Sequence, residues 1–327
     1  MYVLGIETSC DETAAAVVAD GSRVLSNVIS STLALHKKYG GVIPEIAARG
    51  HLEAIDIVVI EALKKARVRL KDIGLIGVTR QPGLPGALLV GNTFADALSF
   101  AINRPLIAVD HTLAHLYAPF LVTGVKGERI PRFPFVGLVV SGGHTSLIYF
   151  KSFSQFEALG VTLDDAAGEA FDKVAKILNL GYPGGPEIDR LAKTCLSPRL
   201  KFNCAQLKGT FDFSFSGIKT SVLYFTRDWQ EKNRRNIRSM PLKLRAEIAS
   251  AFQKSVVSIL TEKSILACKL KKVKSLLIGG GVSANSLLRK ELFEAGRAQN
   301  LNVHFSQLQY CLDNAAMVAG LAYQMRK

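Results

Sequence analysis

The stretch VLGIETS at residues 3–9 runs as an apolar segment into a turn of small and acidic residues, and TAAAVV at residues 13–18 leads out of it. Apolar and β-branched residues bounded by turn residues are typical of a β-hairpin. The pattern recurs in mid-chain, where FVGLVV at 135–140 enters the turn SGGH at 141–144 and TSLIY at 145–149 leaves it. Two such hairpins, each opening one half of the chain, predict two related α/β lobes that face one another across a cleft.

The predicted division places an N-terminal lobe at residues 1–131 and a C-terminal lobe at residues 132–327. The short segment 131–134, which begins and ends with proline, is the expected join. We expect the C-terminal lobe to contain a helical insertion over about residues 150–245. The last helix of the chain is a candidate to return to the first lobe.

Composition limits the class of protein. The chain has 327 residues, of which 48% are hydrophobic, so it can bury a large core. Its five cysteines form no Cys-x-x-Cys pair, which favours reduced thiols over a disulfide framework. The apolar runs read as shorter than the ~20 residues that cross a bilayer, and the N-terminus opens directly into a strand. These features predict a cytoplasmic protein without a membrane partner.

The net charge of +14 is unevenly distributed. The first twenty residues hold four acidic side chains and no lysine or arginine, whereas residues 232–245 hold six basic side chains and no acidic one. A second basic cluster of four lysines lies at residues 269–274. Such stretches suit a phosphate backbone, but solvated helix faces have the same composition. Charge alone leaves both interpretations open.

His111 and His115 are the most informative pair of side chains. They follow the strand-like run LIAV at residues 106–109, and Asp110 stands where a helix cap is expected. An i, i+4 pair lies on one face of a helix, so both imidazoles can reach the same metal ion. Two histidines at a helix start can also serve only backbone or surface contacts, and the pair by itself does not decide between these roles.

Glycine-rich turns follow several predicted strands. They are QPGLPG at residues 81–86, GYPGGP at 181–186 and GGGVSAN at 279–285, the last of them after the buried-strand run SLLI at 275–278. A strand, a glycine turn and a helix together can hold a phosphate or nucleotide against backbone amides. A tight strand-to-helix connection has the same sequence. No P-loop motif is present, which excludes that class of nucleotide enzyme.

Acidic residues cluster in TLDDAAGEAFDK at residues 162–173. Thr162 and Asp165 match a capping box, which predicts that a helix begins there. Asp165, Glu169 and Asp172 would then share one face. Asp172 is too far along the helix for its dipole to explain, which makes it a candidate to hydrogen-bond a ribose or another ligand hydroxyl.

Taken together, these motifs resemble the TsaD family, the tRNA N6-adenosine threonylcarbamoyltransferases. The resemblance runs in order from residue 3 to about residue 320. It is carried by GIETSCDET at 5–13, HxxxH at 111–115, VSGGHT at 140–145, DDAAGEAFDK at 164–173, YPGGP at 182–186, FSFSGIKT at 213–220, GGGVSAN at 279–285 and DNA at 313–315.

The resemblance implies the fold of actin and the sugar kinases, known as the ASKHA fold. It also implies a reaction in which a threonylcarbamoyl group passes from threonylcarbamoyl-adenylate to N6 of the adenosine 3′ to the anticodon (position 37) in ANN-decoding tRNAs. AMP is the leaving product, and the overall result is t6A biosynthesis.

The family pattern, carried onto matching positions, implies three sets of site residues. One divalent metal ion per subunit, iron or zinc, would be held by His111, His115 and Asp313. The adenylate would be bound by Val139, Val140, Ser141, Gly142, Gly143, Asp172, Gly185 and Asn285. Asp11 is a candidate catalytic residue for positioning or proton transfer. Mg²⁺ with an adenine nucleotide is a further candidate ligand.

The resemblance also implies partners besides tRNA. Bacterial members act with a TsaB-like paralogue and a TsaE-like P-loop ATPase, and mitochondrial members act as homodimers. The chain resembles the bacterial and organellar branch, and its sequence leaves both assemblies open.

Three other functions are compatible with parts of the sequence. A zincin-type protease is disfavoured, because Thr112 stands where such enzymes carry a catalytic glutamate. An ASKHA-type ATPase or small-molecule kinase would use the same nucleotide cleft but does not need the histidine pair. A non-catalytic tRNA-binding scaffold would use the basic stretches alone.

Overall fold

The order of strands and helices is similar in the two halves of the chain: three consecutive strands are followed by helices and two further strands. The structure is a computed structural model, and it describes residues 1–122 and 130–326. The strands are β1 Tyr2–Glu7, β2 Glu12–Ala19, β3 Arg23–Ser31, β4 Ile73–Gln81, β5 Leu106–Asp110, β6 Phe135–Val140, β7 Thr145–Ser152, β8 Gln155–Val161, β9 Ser275–Gly279 and β10 Asn302–Phe305. The α-helices are α1 Leu33–His36, α2 Pro44–Ala66, α3 Pro85–Ile102, α4 His111–Tyr117, α5 Ala167–Ile177, α6 Gly184–Ala192, α7 Ser216–Asn233, α8 Leu242–Lys271, α9 Ser286–Ala298 and α10 Ala315–Met325.

The two five-stranded sheets have the same topology. The first has the order β3-β2-β1-β4-β5, and the second has the order β8-β7-β6-β9-β10. Strands β1, β2 and β3 form an antiparallel meander, as do β6, β7 and β8. Strands β4 and β5 run parallel to β1, and β9 and β10 run parallel to β6. The duplication predicted from the two hairpins is therefore confirmed. The third strand of each meander, β3 and β8, was not predicted.

The chain divides into two compact units. Unit 1 comprises Met1–Pro131 and Ser306–Lys327, and unit 2 comprises Arg132–Phe305. The last 22 residues thus belong to unit 1, because α10 packs on β1 and β4 of the first sheet. The interval of about 150–245 expected to be a helical insertion begins with strand β8 and is helical only from α5 onward.

The core of unit 1 lies on both faces of its sheet. Leu4 and Ile6 of β1 pack in one apolar cluster with Ile55 and Val59 of α2. Because side chains alternate between the faces of a strand, Gly5 faces the other way, toward α10.

Gly5 and Gly77 allow α10 to approach the sheet closely. A Cβ atom on Gly5 would stand 2.1 Å from the carbonyl oxygen of Ala315 and 2.8 Å from the amide nitrogen of Ala319. A Cβ atom on Gly77 would stand 2.6 Å from the Cβ of Ala322. Glycine in two adjacent strands and alanine along the helix therefore set the distance between α10 and the sheet.

Unit 2 is organised around α8, a helix of 30 residues. Its buried residues Ile248, Phe252 and Val256 share one core cluster with the strands and with Phe171 of α5. The rings of Phe171 and Phe252 meet edge to face with centroids 5.1 Å apart.

Among the described helices, α3 is long and apolar enough to span a membrane by length and composition alone. A single helix of this kind is weak evidence for a membrane span; 22% of it is buried, and Ala95 of α3 lies in the core cluster of unit 1. The sequence did not display α3 as one long apolar run because Asn92, Thr93 and Asp96 interrupt it.

Replacing Gly5 with alanine should destabilise the protein, because the new methyl group would clash with backbone atoms of α10. Relieving this clash requires a shift of the helix backbone. We expect the free energy of unfolding to fall by about 1–3 kcal/mol, measured by urea denaturation. Gly41→Ala is the matched control, since nothing lies within 4 Å of a Cβ atom there. Equal stability of the two variants would show that the close approach is not needed.

Candidate functional site

The parallel strands of unit 1 bring three segments together at their carboxyl ends. Glu7 is the last residue of β1, Thr79 lies near the end of β4, and His111 follows β5. Asp110 caps α4 as predicted, its side chain accepting a hydrogen bond of 3.0 Å from the amide of Leu113. This edge is where α/β folds place functional groups.

His111, His115 and Asp313 converge at this edge of unit 1. The Nε2 atom of His115 lies 3.1 Å from Oδ1 of Asp313, and that of His111 lies 3.5 Å from the same oxygen. Both imidazoles are buried, and their rings are nearly perpendicular with centroids 4.6 Å apart. Asp313 is placed by the start of α10, which the side chain of Asn314 caps.

The spacing of the donor atoms fits a bound metal ion as well as an ion pair. Two donor atoms about 2.0–2.1 Å from a tetrahedral metal lie about 3.3 Å apart, close to the two distances to Asp313. Among the described residues, neither ring nitrogen of His115 has a hydrogen-bond partner, although Nε2 is near the Asp313 oxygen. A buried imidazole without partners is costly unless something else uses its lone pair.

Glu7 orients His111 from the opposite side. Its Oε2 atom accepts hydrogen bonds from Nδ1 of His111 at 3.1 Å and from Oγ1 of Thr79 at 2.6 Å, and its Oε1 atom accepts from the amide of Ser9. The hydroxyl of Ser9 also lies 3.1 Å from Nδ1 of His111. A proton fixed on Nδ1 leaves Nε2 free to act as the ligand atom, as in carboxylate–histidine–metal arrangements.

Sequence analysis missed Glu7. Its one available signal in the sequence was a carboxylate at the end of an apolar strand-like run. In the structure the five residues Val3–Glu7 are all buried. The side chain is fully buried, and a buried carboxylate requires compensating partners.

The carboxylates hold positive charge at this site. Burial by itself would lower the pKa of His111, but the negative charges of Asp313 and Glu7 outweigh it and raise that pKa to about 9. Burial raises the pKa of Glu7, but the charge and hydrogen bond of His111 outweigh it, so the net shift is downward. The site therefore favours a cation.

The turn between β1 and β2 carries Asp11, and two contacts fix it. The carbonyl oxygen of Asp11 accepts hydrogen bonds from the amide and hydroxyl of Thr32, and the ring of His51 contacts both Thr13 and the carbonyl of Cys10. Burial raises the pKa of Asp11, and the charge of Asp313 adds to the increase.

Unit 2 brings most of its predicted binding residues to one turn. Val139 and Val140 end β6 in the core, and Ser141 closes the turn by exchanging hydrogen bonds with His144. Gly142 and Gly143 are exposed, and a Cβ atom at either position would meet nothing within 4 Å, so the space beside this backbone is open.

Two glycines that the sequence analysis did not select shape this turn. A Cβ on Gly168, at the start of α5, would stand 2.5 Å from the carbonyl oxygen of Ser141. A Cβ on Gly280, which has a φ of +94°, would stand 2.4 Å from that of Val140. Both segments can approach the turn only because they carry glycine.

Helix α5 does not begin where the sequence predicted. Its first residue is Ala167, whose amide donates to the hydroxyl of Thr145, and the preceding Ala166 makes no side-chain cap. Thr162 instead donates to the carbonyl of Asp165, so the capping-box prediction is wrong. A threonine from strand β7 supplies the acceptor that the local sequence lacks.

The acidic residues of this region have separate partners. Asp165 forms ion pairs with Lys173 and Lys219, and Lys173 also pairs with Glu169. Asp172 accepts a 2.6 Å hydrogen bond from the amide of Gly184, the first residue of α6.

Two other predicted binding residues lie at helix starts. Gly185 is the second residue of α6, and a Cβ there would meet nothing within 4 Å. Asn285 caps α9, accepting from the amides of Leu287 and Leu288, and it donates to Oε1 of Gln253. Much of the hydrogen-bonding capacity of Asn285 is therefore used within the protein.

Comparison with known proteins identifies the family. Residues 23–320 match the family described as TsaD, tRNA N6-adenosine threonylcarbamoyltransferase. The chain belongs to the TsaD family. Proteins of that name from Clostridium kluyveri and Symbiobacterium thermophilum are each 48% identical to this TsaD-family chain over 325 residues, covering 99% of it and 92% and 91% of their own lengths.

Solved structures support the ASKHA-type fold of this TsaD-family chain. Component A of (R)-2-hydroxyglutaryl-CoA dehydratase from Acidaminococcus fermentans matches with a TM-score of 0.54 and 16% identity, over 99% of this chain and 98% of that one. A ROK family glucokinase from Streptomyces griseus matches with a TM-score of 0.51 and 14% identity, over 98% of both chains. At these identities the likeness shows the fold alone.

Replacing Glu7 with glutamine should weaken metal binding. A glutamine amide can donate to Nδ1 of His111, which moves the imidazole proton to Nε2, the nitrogen facing Asp313. We expect Zn²⁺ affinity to fall about 10–100-fold, measured by competition with a chromophoric chelator, while circular dichroism shows an intact fold. Glu45→Gln, an exposed residue of α2, is the control. Unchanged Zn²⁺ affinity in Glu7→Gln would refute the orienting role.

Replacing Glu12 with glutamine should stabilise the metal-free protein at high pH. Burial raises the pKa of Glu12 from its ordinary 4.5 to about 7, and among the described residues its Oε2 atom has no hydrogen-bond partner. The folded state then binds the proton more tightly than the unfolded state, so stability falls as pH rises from about 4.5 through 7.

The measurement for Glu12 is the melting temperature of wild type and variant at pH 5 and pH 8. We expect Glu12→Gln to raise it at pH 8 and to change it little at pH 5. An equal shift at both values would mean that the ionised carboxylate is not the cause.

Proposed function

We propose that this chain transfers the threonylcarbamoyl group of threonylcarbamoyl-adenylate to N6 of adenosine 37 in ANN-decoding tRNAs, with release of AMP. Family membership supports the reaction class. The observation that carries the proposal is the group formed by the buried His111 and His115 and the partly exposed Asp313, whose ligand atoms lie within 4.8 Å of one another. A sugar kinase or ATPase of the same fold has no need of such a group.

The reaction exchanges one bond at the carbamoyl carbon. The N6 amine attacks that carbon, a C–N bond forms, and the C–O bond to the adenylate phosphate breaks. The electron pair leaves with AMP, and the amine loses one proton. Stabilising the oxygen that becomes negative and accepting this proton are the two tasks for the protein.

His111, His115 and Asp313 would hold a divalent iron or zinc ion. When bound, the metal supplies Lewis-acid stabilisation of developing negative charge on the donor's oxygens. The donor set of two imidazoles and one carboxylate suits either metal. Glu7 would keep the proton of His111 on Nδ1, so that Nε2 stays available as a ligand atom.

Residues of unit 2 would bind the adenylate. The turn formed by Val139, Val140, Ser141, Gly142 and Gly143 can offer backbone amides to a phosphate without a side-chain charge. Its neighbours Asp172, Gly185 and Asn285 would contribute polar contacts to the nucleoside, with Asp172 the candidate for a ribose hydroxyl.

Asp11 is the candidate for positioning the amine or accepting its proton. Burial raises its pKa, which makes the carboxylate a stronger base than an exposed aspartate. The contacts of Thr32 and His51 hold its turn in one conformation. A further proposed ligand is Mg²⁺ with an adenine nucleotide.

The proposed partners follow from the family. They are tRNA in every case, with a TsaB-like paralogue and a TsaE-like ATPase in a bacterial assembly, or a second copy of this chain in an organellar one. These assemblies differ in subunit count, so the mass of the complex purified with its partners distinguishes them.

Single-turnover transfer from threonylcarbamoyl-adenylate to an unmodified tRNA transcript tests the function. We expect His115→Ala to lose its metal and at least about 100-fold in transfer rate, whereas His304→Ala in strand β10 retains both. Metal content is measured by elemental analysis on the same samples. If wild type, supplied with its partners, binds tRNA but transfers nothing, the chain is a scaffold and the proposal is wrong.

A further inference from the structure

The excess positive charge lies almost entirely in unit 2. Its sequence holds 26 lysines and arginines against 14 acidic residues, a net charge of +12, whereas unit 1 holds 15 against 13, a net charge of +2. Unit 2 is therefore the part of the chain to which a polyanion is attracted.

Within unit 2, the end of α7, the start of α8 and the connection between them carry a large group of basic residues. Residues 227–245 contain seven basic and two acidic side chains. We name as the α7–α8 corner the exposed residues Tyr224, Arg227, Arg234, Arg235, Arg238 and Lys243.

The cations of this corner are not neutralised within the protein. Among the described residues, none of its four arginines nor Lys243 forms an ion pair, and the one pair in this stretch joins Lys232 to Asp228. Other basic stretches also keep unpaired cations. In the stretch of residues 64–72 Lys64 and Arg69 are paired, and in the stretch 269–274 Lys271 is paired with Glu157, whereas the other three lysines of that stretch form no ion pair among the described residues. Free charge is therefore shared with these stretches, and the residue types of the corner are what distinguish it.

The corner is an ordered turn. Met240 is buried in the core of unit 2, and Ile237 packs against the same core. The side chain of Asn236 accepts from the amide of Arg238, and that of Asn233 donates to the carbonyl of Trp229. Arginines on an ordered backbone lose less conformational entropy when they contact a ligand.

The residue types favour nucleic acid over other polyanions. Arginine presents a planar fork of donors that matches phosphate oxygens. Tyr224 is 63% exposed on α7, one turn before Arg227, and an exposed aromatic ring beside cations is a platform on which an unpaired base can stack.

We infer that the α7–α8 corner binds the phosphate backbone of the tRNA substrate. The inference rests on the proposed function for the identity of the RNA, and it assigns the surface that the RNA contacts. It places the RNA-binding cations in unit 2, on a surface built from none of the proposed metal or adenylate ligands.

The experiment is a salt titration of tRNA binding by fluorescence anisotropy. The variant Arg234→Ala/Arg235→Ala/Arg238→Ala should bind at least tenfold more weakly at low salt. Its slope of log affinity against log salt should be shallower by about 2–3, since each phosphate contact contributes about 0.7–0.9. The matched control is Lys269→Ala/Lys272→Ala/Lys274→Ala, which removes three cations from the same unit and should leave the slope unchanged.

A second variant separates charge from folding. Arg234→Lys/Arg235→Lys/Arg238→Lys keeps the cations, so it should retain most of the slope if the corner contacts phosphates. An unchanged salt slope in Arg234→Ala/Arg235→Ala/Arg238→Ala overturns the inference. An equal loss of tRNA affinity in that variant and in Lys269→Ala/Lys272→Ala/Lys274→Ala overturns it as well. Loss of binding to phosphatidylserine vesicles with intact tRNA binding would also overturn it and assign the corner to a lipid surface.

Single-turnover transfer at saturating tRNA distinguishes this inference from the proposed function. If wild type transfers and the alanine variant keeps its salt slope, the surface is wrong and the function stands. If the slope changes as expected but wild type transfers nothing, the surface is right and the function fails.

Discussion

The contact between α10 and the first sheet determines where the chemistry of this protein can lie. Gly5 and Gly77 remove the side chains that would keep the helix away, and alanines on α10 fill the gap. Asp313 immediately precedes this helix, so the packing that seats α10 also brings a carboxylate to the two histidines after β5. A proposed metal ligand is thus positioned by a helix that packs closely against the sheet, where displacement is costly.

Electrostatics complements this packing. Four carboxylates belong to unit 1: Glu7, Asp11 and Glu12 around the turn between β1 and β2, and Asp313 before α10. Only some of them are compensated by a cation in the protein, and burial raises the pKa of Asp11 and of Glu12. The unit holds negative charge that a bound cation would relieve, while the basic surface of unit 2 attracts a polyanion. Under the proposed function, opposite charges in the two units serve different ligands.

Much of this architecture follows from local sequence. The hairpin pattern predicted β1, β2, β6 and β7, and Asp110 with the apolar run before it predicted the start of α4. Features set by distant residues could not be predicted in this way. Glu7 gains its role only because β1 lies beside β4 and β5 brings His111 to it, and α5 begins late because Thr145, from another strand, accepts the hydrogen bond of its first amide.

The return of α10 to the first unit also affects the order in which the protein can fold during synthesis. Unit 2 is one continuous segment, whereas unit 1 is completed only by residues 306–327. When the ribosome has made both histidines, about two hundred residues remain to be translated before Asp313 emerges. The first sheet therefore lacks α10 on that face until residues 315–325 have been translated, so the part of the chain made first waits for a segment made much later.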